Sequence, residues 1–127
     1  MLEMDDLITR EAEMEDFSIE IIDILTDLKR LNVKANEVLM QSNKTYKEKY
    51  HELWKHKCWK EGRALLNRYF TLKGNGVLRC PVCKSKINSK YVLHHKKDFY
   101  NLLTDCFNPL YVELLCSKKC HSKVHKK

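Results

Sequence analysis

Two cysteine pairs frame the last 48 residues of the chain: Cys80 and Cys83 flank Pro81-Val82, and Cys116 and Cys120 follow at a spacing one residue wider. Four thiolates from two such pairs complete a closed tetrahedral zinc site, which contributes folding energy and leaves no open position for chemistry. The wider spacing is compatible with that role, because residues at i and i+4 share one face of a helix. Of the two remaining cysteines, Cys58 falls in a helical stretch and Cys106 in a loop. Neither has a partner at ligand spacing, so both read as unpaired thiols, although either of them, or a late histidine, could replace one of the four in the site.

Interleaved with the cysteines are four histidines. His121 and His125 are one helical turn apart, so their imidazoles point the same way and could grip one metal ion. His94 and His95 are adjacent at the end of a β-favouring run, where successive side chains point to opposite faces. One of them can therefore hold a metal while the other does a different job. Any one of these histidines alone would read as structural; their conjunction with the cysteine frame favours a shared site. His51 and His56, five residues apart, do not share a helical face and read as ordinary histidines.

The elements that must hold these residues begin with a helical half. The first glycine is Gly62 and the first proline Pro81, so the strongest helix breakers are absent from the N-terminal region. Phe17, Ile21, Ile24, Leu28, Leu31, Ala35 and Val38 recur at alternating spacings of four and three, a heptad seam that can pair with another chain or fold back as a hairpin. Self-association is the slightly favoured expectation. Ser42-Asn43 can cap a second helix running to about Leu72, which mixes lysines and arginines with Tyr46, Tyr50, Trp54, Trp59, Tyr69 and Phe70. Aromatics at helical spacing usually pack into a core. Bases on another face of the same helix could position a nucleic-acid backbone.

Lys73-Gly74-Asn75-Gly76 is turn-forming, and short β-favouring runs follow at 90–94 and 110–115, with a final helix in 117–127. The expected class is α+β, in three parts: an acidic amphipathic arm (1–42) with coiled-coil potential, a basic aromatic helix and turn (43–76), and a small metal-stapled module (77–127).

Charge sharpens this division. Residues 1–28 hold ten acids and one base, against seven acids and twenty-three bases in the remainder, for a net charge of +7. A basic body suggests a polyanionic partner, and a solvated lysine-rich surface is the plainer explanation. Neither a signal-peptide pattern nor an apolar run of about 20 residues is present, so the expectation is a cytoplasmic protein of a reducing compartment with no membrane role. There, clustered cysteines are metal ligands more often than disulfides.

In order and type, Cys80-Pro-Val-Cys83, Val92-Leu-His94-His95 and Leu114-Leu-Cys116-Ser-Lys-Lys-Cys120-His121-Ser-Lys-Val-His125 resemble the zinc-knuckle branch of the HNH nuclease superfamily. The resemblance implies a ββα-metal module in which zinc on Cys80, Cys83, Cys116 and Cys120 is structural. It further implies that His94, His121 and His125 bind a catalytic divalent ion (Mg²⁺, Mn²⁺, Ni²⁺ or Zn²⁺), with His95 as the general base that activates water. The family's asparagine slot falls at Tyr111, leaving Asn108 as the substitute to orient His95 and Asn101 as a poorer one. The implied activity is hydrolysis of DNA. Apart from the resemblance, pairing through the heptads would give a homodimer able to cut both strands where a monomer would nick, and Lys55, Lys60, Arg63, Lys96 and Lys97 of the basic body are the candidate backbone contacts, which read little sequence. Two alternatives stand beside it: a non-catalytic zinc-stabilised nucleic-acid-binding module, and an assembly subunit that joins a helical partner through its heptads.

Overall fold

A computed structural model describes residues 4–40, 43–88, 90–96 and 106–125, with the backbone alone at Tyr46, Val124 and His125. Ser42, Lys97, Asn101 and the side chain of His125, all singled out above, lie outside what is described.

Helix α1 spans Met4–Glu13, with Asp5 and Asp6 in its first turn, where acids complement the positive end of the helix dipole. Helix α2 spans Ile19–Leu39 and starts at Ser18, whose hydroxyl accepts the Ile21 N–H at 3.2 Å. Six seam residues of α2, Ile21, Ile24, Leu28, Leu31, Ala35 and Val38, are buried within the chain, alongside Leu25. The hairpin alternative is the one adopted: α2 packs against α1 and against the helices that follow. Burying these side chains inside one chain removes their apolar surface from water. Phe17, the first residue of the expected seam, precedes the cap and is half exposed.

The single helix expected from 43 to 72 is two helices, α3 (Tyr46–Lys55) and α4 (Lys57–Lys73). Thr45, rather than Ser42, supplies the cap: its hydroxyl accepts the Glu48 N–H while the Glu48 carboxylate accepts the Thr45 N–H, a reciprocal capping box. The break falls at His56, whose backbone is extended (ψ 143°) and whose ring Nδ1 accepts the Cys58 N–H at 3.1 Å, capping α4. The break lets both α3 and α4 pack on α2. Helix α4 ends as expected at Gly74, followed by Asn75 and Gly76 with φ of 56° and 89°.

Strands β1 (Val92–His95) and β2 (Val112–Leu115) form an antiparallel pair with Val92 opposite Leu115 and His95 opposite Val112. Each starts two residues later than its β-favouring run suggested. Helix α5 (Lys118–His125) follows and touches both strands. The class is therefore α+β with a small two-stranded sheet. Among the described residues, no helix is long and apolar enough to cross a membrane.

Two cores meet at the sheet. One joins the helices with Cys106, Phe107, Tyr111 and Val112; the other joins Leu78, Cys80, Ile87, Leu114, Leu115 and Cys120, with Leu93 and Phe70 packed against both. Residues on either side of the glycine turn share these cores, Phe70 with the second and Phe107 with the first. Phe107 is fully buried, its N–H donates to Asn32 Oδ1 of α2 at 2.8 Å, and its ring lies against Gly62 of α4.

That last contact yields a prediction. A Cβ on Gly62 would lie 2.3 Å from a ring carbon of Phe107. Alanine gains up to about 1 kcal/mol over glycine within a helix, whereas overpacking a buried contact costs about 1–3 kcal/mol. Gly62→Ala is expected to lower the denaturant midpoint; a raised midpoint would show that Phe107 yields without cost.

Candidate metal centre and histidine pair

Between Cys80 and Cys83 the chain makes a tight loop closed by short backbone bonds: Lys84 N–H to Cys80 O and Cys80 N–H to Ser85 O, both 2.9 Å, and Ile87 N–H to Leu78 O at 2.7 Å. Lys84 takes a left-handed backbone, φ 66°, to complete the turn. On the other side, the Ser117 hydroxyl accepts the Cys120 N–H at 3.3 Å and its carbonyl accepts the His121 N–H at 3.1 Å, starting α5 so that Cys120 faces back toward Cys116.

These two turns bring all four expected thiols together, with their sulfurs within 4.8 Å of one another. The Cys83–Cys116 and Cys116–Cys120 separations are 3.4 and 3.6 Å. Four sulfurs held about 2.3 Å from a tetrahedral zinc lie roughly 3.8 Å apart, so the cluster needs little adjustment to close on an ion. Cys80 and Cys120 are buried and Cys83 is exposed at the rim. Burial pushes the Cys80 thiol up, but backbone groups of Cys83, Cys116 and Val82 outweigh it and bring the group below the ordinary thiol range. Ser85, through its hydroxyl and backbone, draws Cys83 down to about 6, while the neighbouring Cys83 sulfur pushes Cys116 up to about 12. The close sulfurs thus act on one another's protonation, and the thiolate is the form that ligates a metal. The four-cysteine cluster could hold a structural metal ion such as zinc. Cys58 and Cys106 are buried elsewhere and take no part in it.

The histidines divide as the strand alternation requires. His94 turns toward α5, where its ring meets that of His121 edge to face with centroids 5.1 Å apart. His95 turns the other way, into the aromatic core beside Tyr50 and Trp59, and is 2% exposed. Its Nε2 lies 3.0 Å from the Cys106 carbonyl oxygen, which can only accept, so the proton resides on Nε2. Nδ1 is then the basic nitrogen, and the Tyr50 hydroxyl donates to it at 2.5 Å. Burial, the largest influence, lowers the His95 pKa to about 4; the Cys106 carbonyl raises it and His94 lowers it further. The ring is neutral at pH 7.

Asn108 does not orient His95 here. It is fully buried, and its Oδ1 accepts the Leu110 N–H at 2.9 Å, tightening the turn before β2. The orienting groups are the Cys106 carbonyl and Tyr50, neither of which spacing could reveal: Tyr50 is 45 residues from His95 and was legible only as one of a helical aromatic stripe. Tyr111, where the HNH resemblance leads one to expect asparagine, is buried and accepts the Lys96 N–H through its carbonyl at 2.8 Å.

Of the expected backbone contacts, Lys55, Lys60 and Lys96 are exposed. Arg63 is half-buried and committed to Tyr91: one guanidinium nitrogen donates to the Tyr91 carbonyl at 3.0 Å, and the group lies 4.8 Å above the Tyr91 ring. Comparison with known proteins adds no relative. No protein-family description, curated protein or solved structure matches this chain. The site must therefore be read from its own chemistry.

Proposed function

We propose that this chain is a metal-dependent nuclease of the HNH type, in which β1, β2 and α5 form a ββα-metal unit stapled by zinc on the four cysteines. The single observation that carries this reading is the apposition of His94 on β1 with His121 on α5, two imidazoles from different elements brought ring to ring beside the thiol cluster. A structural zinc module needs no such pair. His125 follows His121 by one turn and is the third ligand in this reading.

A divalent ion held there would supply charge stabilisation for the phosphate and the leaving oxygen. The chain's own part is proton handling. The Cys106 carbonyl fixes the tautomer of His95 so that Nδ1 carries the lone pair, and a neutral imidazole can take a proton from water at that atom. Tyr50 holds the same lone pair at rest, so water must displace its hydroxyl before His95 can act as base. The exposed lysines of α3 and α4 would position a DNA backbone without reading its sequence.

One specific observation favours the second reading, a zinc-stabilised nucleic-acid-binding module without catalysis. A histidine 2% exposed, with both ring nitrogens engaged, is also what a purely structural histidine looks like. Incubating the zinc-loaded protein with labelled duplex, first with no other divalent ion and then with Mn²⁺, separates the two. The nuclease reading expects binding in the first step and fragments after Mn²⁺ is added; the binding-module reading expects the retarded band and intact DNA in both.

A further inference from the structure

Trp54 is 55% exposed, at the end of α3 next to the histidine site. An indole carries one of the largest apolar surfaces of any side chain, and leaving it in water forfeits the stabilisation that its burial would provide. Its aromatic neighbours meet it at an angle rather than stacked: Tyr50 edge-on at 5.4 Å and 79°, Trp59 tilted at 6.2 Å and 45°. Trp54 instead forms one wall of an open depression of about 430 Å³, completed by Trp59, Arg63, Tyr91, Leu93 and His121. That volume falls within the roughly 300–1,000 Å³ of small-ligand clefts.

The lining is three aromatic rings, the aliphatic Val92 and Leu93, the His121 imidazole and one fixed planar cation. Arg63 is clamped by the Tyr91 carbonyl and ring, which orders it in advance at the wall of the depression. Only one of its five N–H donors is used in the first of these contacts. Exposed Lys55 and Lys60 lie on the same two helices. An apolar peptide would match the rings but not the cations, and a free anion would match the cations but not the rings. A nucleobase with its flanking phosphate satisfies both, since aromatic platforms in basic grooves bind bases by stacking. A base within a duplex is already stacked on its neighbours and offers only its edges.

We infer that this depression receives an unstacked base of single-stranded nucleic acid, stacked on the exposed Trp54 and flanked by Trp59, with Arg63 meeting an adjacent phosphate. His121 belongs both to its lining and to the histidine pair, so a base seated here brings its own backbone to the proposed catalytic site. That last step rests on the nuclease reading; the binding itself does not.

The test is done on the zinc-loaded protein with no other divalent ion added, and the probes are checked on a gel to be uncut. Fluorescence anisotropy of a short labelled oligothymidylate and of a duplex of equal length is measured with the parent protein and with Trp54→Ala, whose exposed position leaves the core intact. The expected result is tighter binding of the single strand than of the duplex by the parent. Trp54→Ala should weaken single-strand binding by about 5- to 100-fold, the scale of one lost stacking contact, and leave duplex binding within about twofold. Equal single-strand affinity for parent and variant overturns the inference, as does duplex preference by the parent or binding of neither. Should the protein cut nothing when Mn²⁺ is added yet show the Trp54-dependent single-strand preference, the stacking site stands and the nuclease reading falls.

Discussion

Serine in place of Cys80 is expected to cost the protein its zinc and the order of its C-terminal third together. Cys80 is the most deeply buried of the four thiols, so its replacement falls at the centre of the cluster rather than at its exposed rim. A serine hydroxyl does not ionise near neutral pH, and three thiolates leave the tetrahedral site open. Structural zinc sites in small domains contribute roughly 10–16 kcal/mol of apparent binding free energy, which is folding free energy for whatever the metal organises. A metal on the four cysteines would organise the 78–87 loop, Leu114, Leu115 and Cys120, a core too small to persist by itself. The helices have a core of their own in Leu25, Leu28, Leu31, Leu53 and Leu66, so most of the helical circular dichroism should remain. Metal analysis and thermal melting check this, with Cys58→Ala as the control: Cys58 is equally buried but stands outside the cluster. Parent-like zinc content and melting in Cys80→Ser would refute the assignment.

The second large effect is expected at His95. Removing a general base costs about 10²- to 10⁴-fold in rate. Alanine is a poor probe here, because it would leave the Tyr50 hydroxyl and the Cys106 carbonyl facing a void, and such buried unsatisfied groups cost about 1–3 kcal/mol each. Glutamine keeps an N–H donor for the Cys106 carbonyl while removing the basic nitrogen. His95→Gln should bind DNA like the parent and cut it at least about a hundredfold more slowly. Parent-like cleavage by this variant would take the base role away from His95. Tyr50 then becomes informative in its own right, since its hydroxyl occupies the nitrogen on which catalysis would depend.

Much of this arrangement can be read from spacing, and the exceptions have a common cause. The α2 seam, the glycine turn after α4, the cysteine pairs and the opposed directions of His94 and His95 follow from periodicity and local turn chemistry, which act over a few residues. The break at His56 does not: no glycine or proline marks it, and it exists because α3 and α4 both find places on α2. The contacts of Tyr50 with His95, of Asn32 with the Phe107 N–H and of Gly62 with the Phe107 ring span 45, 75 and 45 residues. Such pairings depend on how the bundle docks against the sheet, and no local pattern carries that information. The aromatic stripe illustrates the difference. Helical spacing placed Tyr50 and Trp54 on one face, but docking turned Tyr50 toward His95 and left Trp54 in solvent.

The measurement closest to the central claim is conversion of supercoiled plasmid by the purified, zinc-loaded protein, with Mn²⁺ or with EDTA, comparing the parent with His121→Ala. His121 is half-buried at the surface of α5 and not among the zinc thiols, so its loss should spare the fold while dismantling the histidine pair. The account predicts nicked or linear plasmid from the parent with Mn²⁺, none in EDTA, and little or none from His121→Ala. Plasmid left supercoiled by the parent, or cut equally by His121→Ala, would contradict it.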